Sequence, residues 1–287
     1  MSLSQSQSGA IYQNALLQNK KSHEYFVEHK RGSNKLAIII DPRYDAMMES
    51  VIQNFMYYMN PCGWNLLIMS CNLHRQQIMQ RYPQCFFSPI ESEMIFFDSN
   101  GVPNISVDSY NKILMDSDFW KKLPADNICI FQKDCIMFKM FPDYFTMYDF
   151  AGANWYTKDI SLLNEGVNGG FSLRNRQAMV DCLEKITFDL IEKYRRDALI
   201  NTSVIFRNIN RDFLVQPLKP NEDVFFTYAC EMLNKRMPDV IHRSFLAIEG
   251  MFNPDTCVYH GWHYNYHNAN MATMMLFNST LFSNELH

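Results

Sequence analysis

The sequence lacks the features that define several protein classes. It has eight cysteines but no CxxC pair, and most of the thiols stand within apolar runs, which disfavours a zinc knuckle and a disulfide framework. Its net charge of −4 provides no excess of basic residues to neutralise nucleic-acid phosphates. No uninterrupted apolar stretch approaches the ~18 residues of a membrane span, and the start, MSLSQSQSGA, has no apolar signal-peptide core. We therefore expect a soluble cytoplasmic protein with no membrane span and no nucleic-acid partner.

The composition is that of a globular chain. Apolar residues make up 47% and charged residues 20% of the 287 positions, which favours a folded protein over a disordered one. Repeats, low-complexity segments and linkers are missing from the sequence. We predict an N-terminal arm at residues 1–34, one domain at 35–268 and a C-terminal tail at 269–287. Frequent Asn, Ile, Met, Tyr and Phe residues are typical of an AT-rich genome, such as that of a giant virus.

Strand and helix patterns alternate along the chain. Residues 35–40 form a continuous apolar run of the kind found in buried parallel strands. The segment after it carries an apolar residue at every fourth position, as the face of a helix does: Met47, Val51, Phe55 and Met59. A strand pattern at 64–69 and a helix pattern near 74–77 repeat the order. This alternation predicts an α/β sheet with helices on its faces.

The ends of three helices can also be predicted. Asn60, followed by Pro61, is expected to end the helix that contains Met59. A single helix is expected from residue 109 to 120, and Asn175 is expected to cap a later helix whose apolar face extends to Leu190.

Polar residues interrupt an apolar stretch at positions 128–138. Between ICIF and CIMF stand Gln132, Lys133 and Asp134. Asp41 and Arg43 follow the strand at 35–40 in the same way, and ligands of open α/β sheets bind beyond the carboxyl ends of the strands. A carboxylate at such an edge can hold a divalent cation against a diphosphate. The tripeptide by itself is equally typical of a charged β-turn, so both interpretations stay open.

Two further motifs also allow two interpretations. Asn168-Gly169-Gly170 provides either a plain turn before a strand, which we prefer from these residues alone, or a backbone that lets a ligand approach closely. Glu222 and Asp223 open a predicted helix, where acidic side chains are stabilised by the helix dipole. One of them could instead accept the proton of a hydroxyl group, as a general base does.

Three histidines near the end of the chain invite a metal site. His263 and His267 have the i, i+4 spacing, but no glutamate is placed as in HExxH, so a zinc site built on them with His260 is disfavoured. A single histidine that supplements a carboxylate on Mn²⁺ is the better interpretation.

Seven segments in the order of the chain resemble a known family. They are IIIDPRYDAMMESVIQNF, SYNKILMDSDFW, ICIFQKDCIMF, YDFAGANW, VNGGFSLRNRQAM, NEDVFF, and LAIEGMF followed by YHGWH. They are similar to a glycosyltransferase-like family of domains of unknown function with FQTDS-, GAPW-, NGGFSLRS-, EDVFF- and FGFHKPW-like blocks. That family is related to nucleotide-sugar transferases of the GT-A fold. The resemblance implies a single GT-A-like domain with a mixed central sheet flanked by helices.

The resemblance also implies roles for individual residues. Asp134 is the surviving carboxylate of a DxD motif, whose first position is occupied by Gln132, and would hold Mn²⁺ or Mg²⁺ against the donor diphosphate. His260 is implied to contact the metal or the diphosphate. Asp41 and Arg43 are implied to grip the nucleotide.

For the sugar and the acceptor, residues 168–170 would line the donor sugar pocket, and Asp223, with Glu222 beside it, would be the acceptor-activating base. The chain departs from the family at Asn154, which replaces the proline of GAPW, and at residues 261–263, where Lys-Pro-Trp is missing. His263 would then substitute for the missing lysine.

Together these observations predict a metal-assisted glycosyltransferase. It would move a sugar from a nucleoside-diphosphate donor, with UDP favoured, to a hydroxyl on a glycan or another acceptor, with inversion. A non-catalytic sugar- or nucleotide-binding module on the same fold and, less favoured, a hydrolase with a metal on the three histidines are the alternatives.

Overall fold

The computed structural model describes residues 25–154, 166–202, 221–249, 253 and 255–261. Its strands are, in chain order, β1 (Lys35–Ile40), β2 (Asn65–Ser70), β3 (Phe86–Pro89), β4 (Ile95–Phe97), β5 (Pro103–Ile105), β6 (Asn127–Phe131), β7 (Cys135–Met137), β8 (Phe150–Asn154), β9 (Val167–Asn175), β10 (Ala247–Glu249) and β11 (Val258–His260). Its α-helices are α1 (Ala46–Met59), α2 (Arg75–Arg81), α3 (Val107–Leu114), α4 (Ser117–Lys122), α5 (Arg176–Lys185), α6 (Phe188–Thr202), α7 (Glu222–Met232) and α8 (Val240–Leu246).

Six strands form a central mixed sheet in the order β3-β2-β1-β6-β9-β8. The first four are parallel to one another, whereas β9 runs antiparallel to both β6 and β8. After β6 the chain leaves this sheet, and β7 joins β11 and β10 in a three-stranded sheet. The predicted class, an α/β domain with a mixed central sheet flanked by helices, is confirmed.

The inner strands β1, β2 and β6 of the central sheet are buried on both faces, which explains their continuous apolar runs. In β1, Ala37 and Ile39 belong to the cluster that contains α1, while Leu36, Ile38 and Ile40 belong to the cluster that contains α5 and α7. Successive side chains of a strand point to opposite faces, so a strand between two helical layers needs apolar residues at every position.

The caps of α1 hold the first strand and helix together. Asp45 accepts a hydrogen bond from the backbone N–H of Met48 at 2.9 Å and so begins the helix. At the other end the amide of the buried Asn60 donates to the carbonyls of Trp64 and Glu28, both at 2.8 Å. The expected stop at Asn60 is therefore present, and residues near position 28 lie against it.

Three local expectations differ from the structure. The single helix expected from residue 109 to 120 is two helices, because Asp116 accepts a hydrogen bond from the N–H of Asp118 and begins α4. The helix that follows Asn175 has the expected cap, from the N–H of Ala178 at 3.0 Å, but it ends at Lys185, so Leu190 belongs to α6. Residues 168–170 lie inside β9 rather than in a turn before it.

Among the described residues, no helix combines the length and the apolar character that crossing a bilayer requires.

Candidate functional site

A cleft of about 610 Å³ lies beyond the carboxyl ends of β1 and β6. Because these strands are parallel neighbours, the polar segments that follow them meet at one edge of the sheet, as expected. The cleft is completed by α3, by part of β9, by the start of α7 and by the end of β11. Nine residues named from the sequence line it: Asp41, Arg43, Asp134, Asn168, Gly169, Gly170, Glu222, Asp223 and His260.

A salt bridge follows β1 on one side of the cleft. Arg43 donates two hydrogen bonds to the carboxylate of Asp41, one from Nε to Oδ1 at 2.9 Å and one from Nη2 to Oδ2 at 2.7 Å. Hydrogen bonding to Asp41 raises the pKa of Arg43, so the guanidinium stays charged. The Arg43 side chain is 37% exposed, which leaves part of this cation open to the cleft.

The tripeptide between β6 and β7 is a turn and also a wall of the cleft. The N–H of Cys135 donates to the carbonyl of Gln132 at 3.1 Å and closes the turn. The N–H of Gly261 donates to the carbonyl of Asp134 at 3.0 Å, and its φ of 71° is one that glycine adopts readily. Turn and site are therefore not exclusive interpretations here. Lys133, from the same turn, donates to Asp45 at 2.6 Å.

Asp134 and His260 form the part of the cleft that suits a metal ion. His260 Nε2 lies 3.5 Å from Asp134 Oδ1. Both ring nitrogens are buried, and within the described part of the chain neither makes a hydrogen bond. Burial lowers the pKa of His260, but the carboxylates of Asp134 and Glu249 raise it by more, so the net pKa is above its ordinary value. A buried imidazole beside a carboxylate is a donor pair that Mn²⁺ accepts, so these residues fit the expected metal.

Cys135 lies next to this pair but is a poor ligand. Its sulfur and the ligand atoms of Asp134 and His260 all lie within 4.8 Å of one another. Burial raises the pKa of the Cys135 thiol well above its ordinary value, and the thiol donates to the carbonyl of Gly170 at 3.4 Å. Because the thiolate is the form that ligates metals, the oxygen and nitrogen donors carry the site.

The two glycines of β9 are required by close packing. A Cβ atom at Gly169 would lie 2.0 Å from Glu222 Oε1, and one at Gly170 would lie 2.0 Å from His260 Nε2. Neither glycine has a positive φ, so the left-handed conformation that glycine permits is not used here. The strand has no side chains at these positions because the side chains of Glu222 and His260 cross it.

Glu222 has a different environment from its neighbour Asp223. Arg174 donates to both oxygens of Glu222, at 2.7 and 3.0 Å, and its own side chain is fully buried among the rings of three aromatic residues, Trp120, Phe150 and Phe226. Burial raises the pKa of Glu222 by more than Arg174 lowers it. The backbone N–H of Glu222 donates to Asn111 at 3.1 Å, which fixes the start of α7. Both ends of this residue are therefore held by the protein.

Asp223 also lines the cleft and, unlike the buried Glu222, is partly exposed. It lies in the first turn of α7, where the helix dipole stabilises negative charge. Its Oδ1 accepts from the N–H of Val224 at 2.8 Å, and its Oδ2 lies 3.5 Å from the N–H of Gly169. The carboxylate thus sits between the helix and the bare strand.

Four residues that shape the site were given no role from the sequence. Arg174 and Glu249 touch cleft residues from behind, while Lys133 and Tyr110 line the cleft itself. Burial raises the pKa of Tyr110, so its phenol stays protonated. Arg174 lies in the same block as the glycines and Glu249 in LAIEGMF, so a charged residue inside an apolar block was the available signal.

Two of the three histidines of the disfavoured zinc site, His263 and His267, lie outside the described residues, as does Trp262. The same holds for Trp155, the last residue of the block that contains Asn154.

Comparisons with known proteins give likenesses of fold. No curated protein matches the chain. The galactosyltransferase LgtC, solved with donor and acceptor sugar analogs, is 11% identical, with 85% of this chain and 95% of that chain covered and a TM-score of 0.46. Mouse xyloside xylosyltransferase 1 is 10% identical, with 80% and 97% covered and a TM-score of 0.46. These likenesses concern the course of the backbone only.

A family model provides the remaining comparison. The model described as a protein of unknown function, DUF5672, matches residues 91–263, which is more than half of the chain and includes β6 to β9, α7 and β11. The chain therefore belongs to the DUF5672 family of proteins of unknown function.

Proposed function

We propose that this protein is a glycosyltransferase that moves a sugar from a nucleoside-diphosphate donor, with UDP favoured, to a hydroxyl acceptor. One observation carries the proposal: residues from separate parts of the chain, each with chemistry suited to such a transfer, line one cleft of about 610 Å³. Phosphate, sugar and acceptor proton each find a group of suitable chemistry in it.

The donor diphosphate would be bound by the cationic side of the cleft. Arg43 and Lys133 both line it, and each is held by a carboxylate, Asp41 at 2.7 Å and Asp45 at 2.6 Å. Charged hydrogen bonds from such groups are those that recognise phosphate oxygens best. The donor sugar would lie along residues 168–170, where the absence of side chains at the two glycines brings the backbone close.

Asp134 and His260 would hold Mn²⁺ or Mg²⁺. When bound there, the ion would neutralise charge on the leaving diphosphate. Gln132 provides an amide where a second carboxylate would stand, so the protein contributes a single negative charge from this turn.

Asp223 would act as the base, with Glu222 in support. The acceptor hydroxyl gives its proton to the Asp223 carboxylate while its oxygen forms a bond to the anomeric carbon. The bond from that carbon to the diphosphate oxygen breaks, and the diphosphate leaves with the electron pair. Glu222 is a poorer base than Asp223, because both of its carboxylate oxygens accept hydrogen bonds from Arg174. Attack from the side opposite the diphosphate inverts the anomeric centre.

The test is turnover with a panel of UDP-, GDP- and dTDP-sugars in the presence of Mn²⁺. Asp223→Asn removes the proton acceptor at almost constant shape, so we expect transfer to fall by roughly 10²–10⁴-fold while nucleotide affinity is unchanged. Asp118→Asn is the matched control, since Asp118 also lies in the first turn of a helix but is exposed and outside the cleft. Absence of both donor hydrolysis and transfer across the panel would refute the proposal.

Gln132 favours one alternative, a non-catalytic sugar- or nucleotide-binding module. Loss of a carboxylate from the metal site is a change that a binding protein would tolerate. Such a protein would bind a nucleotide sugar without turnover, and Asp223→Asn would then have no turnover to remove.

A further inference from the structure

A row of polar side chains runs behind the cleft from β9 to Asp134. The N–H of Gly170 donates to Asn168 Oδ1 at 2.7 Å, and Asn168 Nδ2 donates to Glu249 Oε2 at 2.9 Å. The other oxygen of Glu249 lies 3.8 Å from His260 Nδ1, and His260 Nε2 lies 3.5 Å from Asp134 Oδ1. Asn168, Glu249 and His260 thus each direct one polar atom to the residue before them in the row and another to the residue after them.

Strand register produces this arrangement. β10 and β11 are parallel, with Glu249 opposite His260, and β11 is antiparallel to β7, with His260 opposite Cys135. Residues opposite one another on neighbouring strands project to the same face of a sheet. The register therefore places Glu249 beside the imidazole of His260, and it places His260 opposite Cys135, the residue that follows Asp134.

The imidazole has little freedom to choose another orientation. The backbone of Gly170 packs against the ring so closely that a Cβ there would lie 2.0 Å from Nε2. Both nitrogens are buried, and a buried N–H without an acceptor is costly. On the Nδ1 side the structure places the Glu249 carboxylate, which is an acceptor only and so favours a proton on Nδ1.

We propose that Glu249 is a positioning residue of the metal site. It holds His260 as the tautomer with Nδ1 protonated, which leaves the Nε2 lone pair directed towards Asp134 and a divalent cation. Outer carboxylates that orient a ligating histidine in this way raise its basicity and its metal affinity. The added negative charge compensates for the carboxylate that is missing at Gln132.

The same geometry changes the role of Asn168. Its amide oxygen is used by Gly170 and its amide nitrogen by Glu249, so its side chain acts on the metal site through Glu249. This inference rests on the proposed function in one respect only, the binding of a divalent cation by Asp134 and His260.

The test is a titration of the purified full chain with Mn²⁺, in which electron paramagnetic resonance measures the free ion. No sugar donor and no acceptor substrate is present. We expect Glu249→Leu to weaken Mn²⁺ binding by roughly 10–100-fold, as the loss of an outer carboxylate does elsewhere. Glu249→Gln keeps an acceptor for Nδ1 and should recover part of the affinity. His260→Ala should lose at least as much as Glu249→Leu. Glu184→Gln is the control, because Glu184 is half-exposed, pairs with Lys121 and lies outside the cleft.

A second readout needs no variant. Nitrogen-15 NMR of the histidine-labelled protein saturated with Mg²⁺ reports the tautomer, and we expect the proton of His260 on Nδ1. A proton on Nε2, or Mn²⁺ affinity in Glu249→Leu equal to wild type, would overturn the positioning role. If His260→Ala alone weakens binding, the proposed metal site stands and the role of Glu249 falls. If wild type binds no Mn²⁺, both fall, whereas failure of sugar transfer with intact Mn²⁺ binding affects only the proposed function.

Discussion

The cleft is flanked by two arginine–carboxylate pairs of nearly equal geometry and different surroundings. Arg43 and Asp41 are joined by bonds of 2.9 and 2.7 Å, and Arg174 and Glu222 by bonds of 2.7 and 3.0 Å. The side chain of Arg43 is 37% exposed, whereas that of Arg174 is 0% exposed. The two pairs therefore have similar hydrogen-bond distances and differ in their exposure to solvent. The open pair is available to a ligand, and the buried pair acts as a support for the start of α7.

Removal of the buried arginine should have the largest effect on stability. Arg174→Met leaves the Glu222 carboxylate buried without its partner, and we expect the free energy of unfolding to fall by about 3–5 kcal/mol. Urea denaturation followed by circular dichroism measures it. A loss below about 1 kcal/mol, the range of exposed pairs, would mean that the two pairs are equivalent.

The double variant Arg174→Met/Glu222→Leu is the control for this prediction. It removes both charges and fills the space with apolar groups, so it should recover much of the lost stability, as replaced buried ion pairs often do. A double variant as unstable as Arg174→Met would attribute the loss to packing against Trp120, Phe150 and Phe226 instead of to the stranded charge.

Removal of the open arginine should change stability little and ligand binding more. Arg43→Met should lower the free energy of unfolding by less than about 1 kcal/mol. It should weaken UDP binding by about tenfold or more, because a hydrogen bond to a charged group contributes about 1.5–3 kcal/mol. Calorimetric titration of UDP measures the second effect.

Arg176→Met is a matched control for Arg43→Met. Arg176 pairs with Asp126 at 2.7 Å, is 28% exposed and does not line the cleft. It should show the same small loss of stability with unchanged UDP affinity. Equal UDP affinities in the two variants would show that Arg43 does not bind the nucleotide.

The pH dependence of the buried pair should be the smallest of the three effects. Burial raises the pKa of Glu222 above its ordinary 4.5, so the folded protein keeps a proton that the unfolded chain releases. This contribution to stability is fully present below the unfolded pKa and is lost as the pH rises through the folded one. The wild-type free energy of unfolding should therefore fall relative to that of Glu222→Gln as the pH rises above about 4.5. Denaturation curves across that range measure the difference, and a constant difference would show that the pKa is not raised.

Local patterns predicted the parts of the fold that local physics determines. The apolar run of β1, the four-residue period of α1 and the cap at Asn175 follow from burial and hydrogen bonding within a few residues. The break between α3 and α4 was missed because apolar residues continue on both sides of Asp116, and only its capping bond reveals the end. The proximity of Asp41 and Asp134 could also be predicted, because the carboxyl ends of parallel strands lie at the same edge of a sheet.

The supporting residues of the site could not be predicted in this way. Arg174 and Glu222 are 48 positions apart, and an arginine in FSLRN looks like any strand residue that faces water. Glu249 approaches His260 only through the register of β10 on β11. The glycines of β9 were interpreted as a turn or as a backbone open to a ligand, since a sequence does not show which side chain crosses a strand.

The close approach of His260 to Gly170 has a consequence for how these proteins diverge. Any larger residue at position 170 displaces the ring, and loss of the ring leaves a hole over the glycine. A substitution at either position alone disturbs the packing of the other, so residues 170 and 260 should covary among relatives. A lineage that has given up the histidine is then the place to find side chains larger than hydrogen at position 170.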